Sequence, residues 1–302
     1  MALSVRRLPL LVSIGVLFGC TTSTDESPPP TLFGRVVFSQ IVDGKDLALY
    51  SMTPEGTDIR LLKWVPGLSF VVPRISPDGQ LIAAVGYVSQ GGAAFPAELY
   101  ILTWDGSSVN VLPNTEHAGV VTWSPDATRL AFACQDQAAS PPENALAICL
   151  INPDGSGLQR VNHSSFATFM PAWSPDGQRL AYVSDSTGGD YDIFTMSLDG
   201  TDVQEVLDTP WGEEEPVWSP DGTRLAFWRD TPAPEIFVVQ VSGTGEHQVT
   251  ALEHATEPAW SNSGEEIWFN HLNQIYAIHP DGSGVRPVVV SPSSVWPTWG
   301  PP

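Results

Sequence analysis

A tryptophan-and-turn pattern returns six times along this chain, and its spacing restricts the architecture more than any other feature. It reads ISPDG at 75–79, WSPDA at 123–127, WSPDG at 173–177 and 218–222, and WSNSG at 260–264, with a truncated WGPP from Trp299. The first positions, 75, 123, 173, 218, 260 and 299, leave intervals of 48, 50, 45, 42 and 39 residues. A repeat of this length with a tryptophan at its turn indicates radially arranged four-stranded units, each too thin to bury both faces alone.

The stretch 167–208 shows how one unit is built. Its β-rich runs at 171–173, 179–183, 192–196 and 203–207 predict an antiparallel meander. Between the first two, Ser174-Pro175-Asp176-Gly177 has tight-turn chemistry. Proline presets φ, serine and aspartate bond the turn backbone, and glycine accepts a positive φ. The third run elsewhere carries Tyr50, Tyr100, Phe194, Phe237 or Tyr276, followed by a turn such as Asp199-Gly200 or Asp281-Gly282. These aromatics and the repeated tryptophans are expected to pack between units rather than bind a ligand.

Five units are complete. Residues 34–62 supply strands two to four of a sixth, and VWPTWG at 295–300 supplies its missing first strand. The expected fold is therefore an all-β, six-bladed propeller of four-stranded antiparallel blades, closed by the C-terminal strand joining the N-terminal blade.

The pattern WSPDG-x-x-[LI]-A-[FY], a later [IL]-[YF] and a D-G-[ST] turn resemble the TolB-type β-propeller repeat, also called PD40 or WD40-like. The resemblance covers residues 32–302. It implies a periplasmic setting and, by analogy with TolB itself, a protein partner such as a peptidoglycan-associated lipoprotein. The extra α/β domain of TolB is not expected between Cys20 and the first blade.

Arg6 and Arg7 precede an apolar run at 8–18 that ends in Gly19-Cys20. This fits an export signal, and Leu17-Phe18-Gly19-Cys20 resembles a bacterial lipobox. Residues 1–19 then form a lipoprotein signal, Cys20 carries the lipid, and 20–31, ending in three prolines, are a polar tether. An ordinary signal with an incidental cysteine is the alternative. The formal charge is −21, with 34 acidic and 13 basic residues spread between the repeats. That balance disfavours nucleic acid and anionic lipid surfaces, leaving solubility or a basic partner as its explanation. A monomer tethered outside the cytoplasm is expected.

Neither G-x-S-x-G, H-E-x-x-H, a phosphate loop nor C-x-x-C occurs, so the sequence assigns no catalytic residue, metal or cofactor. Cys134 and Cys149 fall on adjacent strands of one blade, and export permits a disulfide between them; two separate buried thiols are the alternative. Loops entering the inner strands should ring one mouth of the central channel. They carry Phe70, His117, Phe166, Phe169, Glu213, Glu214, Glu215, His254, Glu257 and Trp296. The segment 185–192 superficially suggests a calcium loop but lacks the full ligand series. Two functions remain: a non-enzymatic scaffold binding a protein or cell-envelope component at the mouth, or an extracytoplasmic lyase or hydrolase acting on a saccharide or similar small substrate in the funnel.

Overall fold

In the computed structural model the described residues are 34–42, 44–53, 55–90, 93–94, 97–116, 118–135, 146–161, 167–185, 190–289 and 294–299. The expected signal at 1–19, Cys20 and the expected tether at 20–31 lie outside them. Among the described residues every regular element is a strand.

Six antiparallel sheets follow one another around a ring. Blade 1 holds β1 (Val36–Val42), β2 (Asp46–Met52) and β3 (Arg60–Lys63), and its innermost strand is β25 (Ser294–Trp299). Blade 2 is β4 (Leu68–Ile75), β5 (Leu81–Gln90), β7 (Glu98–Thr103) and β8 (Val109–Val111), with β6 (Ala93–Ala94) paired to β5. Blade 3 is β9 (Val121–Trp123), β10 (Leu130–Gln135), β11 (Leu146–Ile151) and β12 (Gln159–Arg160). Blade 4 runs β13 (Thr168–Trp173), β14 (Arg179–Ser184), β15 (Asp192–Ser197) and β16 (Gln204–Leu207). Blade 5 runs β17 (Gly212–Trp218), β18 (Arg224–Asp230), β19 (Glu235–Gln240) and β20 (His247–Gln248). Blade 6 is β21 (Ala255–Trp260), β22 (Ile267–His271), β23 (Gln274–Ile278) and β24 (Arg286–Val289). The expected closure is present, with Val36 of β1 opposite Trp299 of β25.

The core lies between blades, as the thinness of one unit requires. Each of its clusters draws on two neighbours, such as Ile148 and Leu150 of blade 3 with Leu180 and Tyr182 of blade 4. The last joins Val36 and Phe38 of blade 1 to Trp268 and Ile275 of blade 6. The repeated tryptophans stitch the same seams. The indole of Trp218 donates to the Ala172 carbonyl of the preceding blade at 3.1 Å, and Trp260 to Val217 at 3.2 Å. Arg224 covers the Trp260 ring at 4.8 Å, adding a cation–π contact across the seam.

The turns are built as their composition implies. Ser174 Oγ donates to Asp176 Oδ1 at 2.6 Å, while Asp176 accepts from the Gln178 amide at 3.0 Å and Gly177 has φ 69°. Asp126 and Asp221, in the same position of blades 3 and 5, are held at about 2 by hydrogen bonds from Ser124 and Ser219. Ala127 takes the positive φ of 58° that glycine serves elsewhere.

One pair of positions varies from blade to blade. It lies on the second strand and, diagonally, on the third. In blade 3 it is Cys134 and Cys149, joined by a disulfide with Cα atoms 5.8 Å apart, within the roughly 7 Å that such a bridge can span. In blade 2, Gly86 lies under the Tyr100 ring, where a Cβ would come within 2.4 Å of that ring. In blade 5, Arg229 sits 4.3 Å over Phe237. In blade 6, His271 meets Tyr276 edge-on.

Candidate functional site

All six inner strands, β4, β9, β13, β17, β21 and β25, contribute to a cavity of roughly 360 Å³ on the propeller axis. Its wall is mostly apolar, with Trp123, Trp173, Trp218 and Trp260 among the lining residues. The residue preceding each tryptophan is small in five strands (Thr122, Ala172, Val217, Ala259 and Thr298). In β4, where Ile75 replaces tryptophan, the equivalent residue is Arg74, the one cation of the lining among the described residues.

A shared irregularity sets what else reaches the axis. The register of β4, β13, β17 and β21 shifts between Val71 and Arg74, Phe169 and Ala172, Glu214 and Val217, and Thr256 and Ala259. Within each bulge the residue before proline has a positive φ: Val72 49°, Met170 51°, Glu215 50° and Glu257 60°. Proline has no amide to donate to the ladder, so the extra residue is accommodated there. A non-glycine residue in this conformation costs on the order of 1–3 kcal/mol, and such strain concentrates at functional sites. The bulges bring Glu215 and Glu257 near enough to Arg74 for their charges to act on it. Burial pulls the Arg74 guanidinium below its ordinary range, and the two carboxylates oppose that shift. Burial likewise raises Glu215, against the pull of Arg74. The Glu215 amide approaches the Met170 sulfur at 3.3 Å, tying two bulged strands together.

The predicted mouth residues part company here. Glu215 and Glu257 stand near Arg74, close enough for their charges to act on it. Glu213 is instead fully buried, accepting from Arg229 Nε at 2.8 Å and Thr209 Oγ1 at 2.6 Å. Burial pushes its carboxyl up to about 7. Glu214 projects to the opposite side of β17, half-buried, and is also pushed up to about 7 by burial and by the charges of Glu215 and Asp230. Phe70 is a second correction, since it is fully buried in the seam and packs edge-on against Tyr100. Phe169 lies edge-on to Tyr191 with ring centres 4.7 Å apart. His254 is exposed in a turn with φ 68°. His117, Phe166 and the Trp296 side chain fall outside the described residues, as do 186–189 of the acidic segment 185–192. Asp192, at the end of that segment, is buried and accepts from the Thr209 amide at 3.3 Å, an anchor for the loop into β17. Among the described residues no three His, Cys, Asp or Glu side chains gather at metal-binding distance.

Arg74 escaped the sequence reading because it stands inside ISPDG's strand rather than in a loop. The x-Pro-x-Trp register, visible as MPAW, EPVW, EPAW and WPTW, was the available signal for the channel positions.

The TolB beta propeller domain family matches residues 34–206 and 127–301, together almost the whole ring. The chain belongs to this family. Among curated relatives, the Tol-Pal system protein TolB of Haemophilus influenzae is 44% identical over 57 residues, 19% of this chain and 13% of that protein. The namesake from Mannheimia succiniciproducens is 46% identical over 57 residues, 19% and 12% of the two chains. The chain thus matches about an eighth of the length of these relatives. Among solved structures, TolB from Acinetobacter baumannii superposes with TM-score 0.74 at 16% identity, over 91% of this chain and 68% of the other. An oligogalacturonate lyase in complex with manganese superposes with TM-score 0.55 at 16% identity, over 76% and 69%. At these identities both likenesses concern the fold.

Proposed function

We propose that this TolB-family propeller is a non-enzymatic scaffold, tethered to a membrane outside the cytoplasm, that binds a protein or other cell-envelope component at its channel mouth. The observation carrying this reading is the channel itself. Six strands converge on it, strained bulges deliver Glu215 and Glu257 to Arg74, and indole rings wall the cavity beyond. Such a site offers recognition chemistry, a fixed charge group beside an apolar recess. The relatives named for the Tol-Pal system support a protein partner. The Cys134–Cys149 disulfide favours an oxidising compartment, and Cys20 supplies the lipid anchor. The saccharide-enzyme alternative draws only on likeness of fold.

The test is capture from envelope extracts on the immobilised full chain, with captured proteins identified by mass spectrometry. Wild type should enrich a defined envelope protein that Arg74→Ala and Glu215→Gln/Glu257→Gln lose while keeping native circular dichroism. Equal capture by all three proteins would remove the channel from the reading. Cys20→Ser should move the protein from the membrane to the soluble fraction.

A further inference from the structure

Strands two and four begin beside turns, and the arginines follow that geometry: Arg179 and Arg224 open β14 and β18, and Arg60 and Arg286 open β3 and β24. The opposite, loop-bearing face is different. Among the described residues its loops carry Lys45 as their one Lys or Arg; nearby Arg229, at the end of β18, is already paired with Glu213 and Glu246 at 2.8 and 2.7 Å. Four arginines scattered along the sequence thus stand on one face of the fold, while among the described residues the loops of the other are nearly free of basic side chains.

On that loop-bearing face, at the seam of blades 4 and 5, Trp211 is 46% exposed and Tyr191 37%. Phe169 props the Tyr191 ring edge-on at 4.7 Å. Gly212 separates this shelf from a carboxylate: a Cβ on Gly212 would lie 3.9 Å from Tyr191 Cδ2 and 3.8 Å from the Asp230 Cβ. Asp230 is exposed and, like half-buried Glu214, makes no ion pair among the described residues. Aromatic faces left open to water beside unpaired carboxylates suit a cation that carries its own flat or apolar surface.

We propose that the Trp211–Tyr191 shelf, with Asp230 and Glu214, is the docking site for an arginine side chain on a basic segment of the protein partner. The idea rests on the scaffold reading above and deepens it by naming the partner's chemistry. Guanidinium stacks on the rings through its face and bonds the carboxylates through its edge, a combination that lysine or a neutral sugar matches less well. The shelf adjoins the channel mouth through β17, so a segment anchored here can extend toward Glu215.

The test uses the full chain and a capped peptide of alternating arginine and glycine, followed by Trp fluorescence and calorimetry. Binding should weaken as salt rises and vanish when citrulline replaces arginine. Trp211→Ala, which removes no charge, should weaken it roughly three- to fivefold. Asp230→Asn should weaken it more than Glu205→Gln, which removes the same charge from an exposed site on β16. Equal losses in Asp230→Asn and Glu205→Gln, no effect of Trp211→Ala, or equal binding of the citrulline peptide would overturn the proposal. So would saturable binding of cellotetraose at the shelf with none of the peptide. If the shelf variants are silent while envelope capture still depends on Arg74, Glu215 and Glu257, the shelf fails and the scaffold reading stands. Peptide binding at the shelf without channel-dependent capture would show the reverse.

Discussion

In blade 3, Cys134 and Cys149 are covalently joined; in blade 5 the corresponding positions hold Arg229 and Phe237, stacked at 4.3 Å. Blade 3 departs most from the repeat in other ways. Its inner strand β9 has three residues where β17 has seven, it lacks the x-Pro bulge, and Ala127 replaces the turn glycine. The indole N–H of Trp173, which should reach back to blade 3, has no hydrogen-bond partner among the described residues. Blade 5 keeps every repeat element and instead buries an ion pair, Glu213–Arg229, whose arginine also reaches the exposed Glu246. A blade short of ladder bonds is fastened by a crosslink acting on the unfolded chain. A blade with a full ladder can host buried charge, which is costly unless each partner remains.

Breaking that pair should have the largest effect. Arg229→Ala strands the fully buried Glu213 and should cost about 4 kcal/mol in urea unfolding, toward the middle of the range for orphaned buried charges. Glu213→Leu/Arg229→Leu should recover much of that loss, because both partners go together. Breaking the crosslink comes next. Its ends are 15 residues apart, and Cys134→Ala/Cys149→Ala should lose about 3 kcal/mol. Reductant should lower the wild-type Tm and leave that of Cys134→Ser/Cys149→Phe, which copies the Ser184 and Phe194 of blade 4, unchanged.

A smaller and opposite-signed contrast concerns pH. Glu213 and Glu214, at about 7 against an ordinary 4.5, bind a proton more tightly folded than unfolded. They favour the fold at low pH, and that contribution fades as pH rises from 4.5 through about 7. The turn aspartates Asp126 and Asp221, at about 2 against 3.8, favour it above 3.8 and lose that effect toward pH 2. Thermal stability should therefore peak near about pH 4–5. Glu213→Gln should flatten the decline toward neutrality, whereas the reduced and oxidised forms of blade 3 should share one slope. The smallest expected change is a gain. Ala127→Gly relieves a φ of 58° and should add about 0.5 kcal/mol, part of the relief being offset by the freer unfolded glycine.

The turns, the blade count and the closing strand were legible because each is a local rule repeated at fixed spacing. Ser174, Asp176 and Gly177 form their turn with partners no more than five residues away. The adjacency of Cys134 and Cys149 followed from the same alignment. The acidic run at 213–215 was not legible. It reads as one rim, yet Glu213 is buried against Arg229, Glu214 turns to the other side of the strand, and Glu215 is bulged toward Arg74. Strand alternation separates the first two, and one extra residue before Pro216 redirects the third.

By itself the sequence determined a ring of six four-stranded blades, since each copy specifies its own turn and alternation and the last strand has only one open edge to fill. Tertiary structure alone decided which charges meet. Arg74 lies in blade 2, Glu215 in blade 5 and Glu257 in blade 6, far apart along the chain. Their encounter depends on ring closure and on bulges whose direction no short-range pattern records. The meander likewise puts Arg60, Arg179, Arg224 and Arg286 at one face and leaves Trp211, Tyr191 and Asp230 at the other, because alternate turns of a meander open on opposite sides.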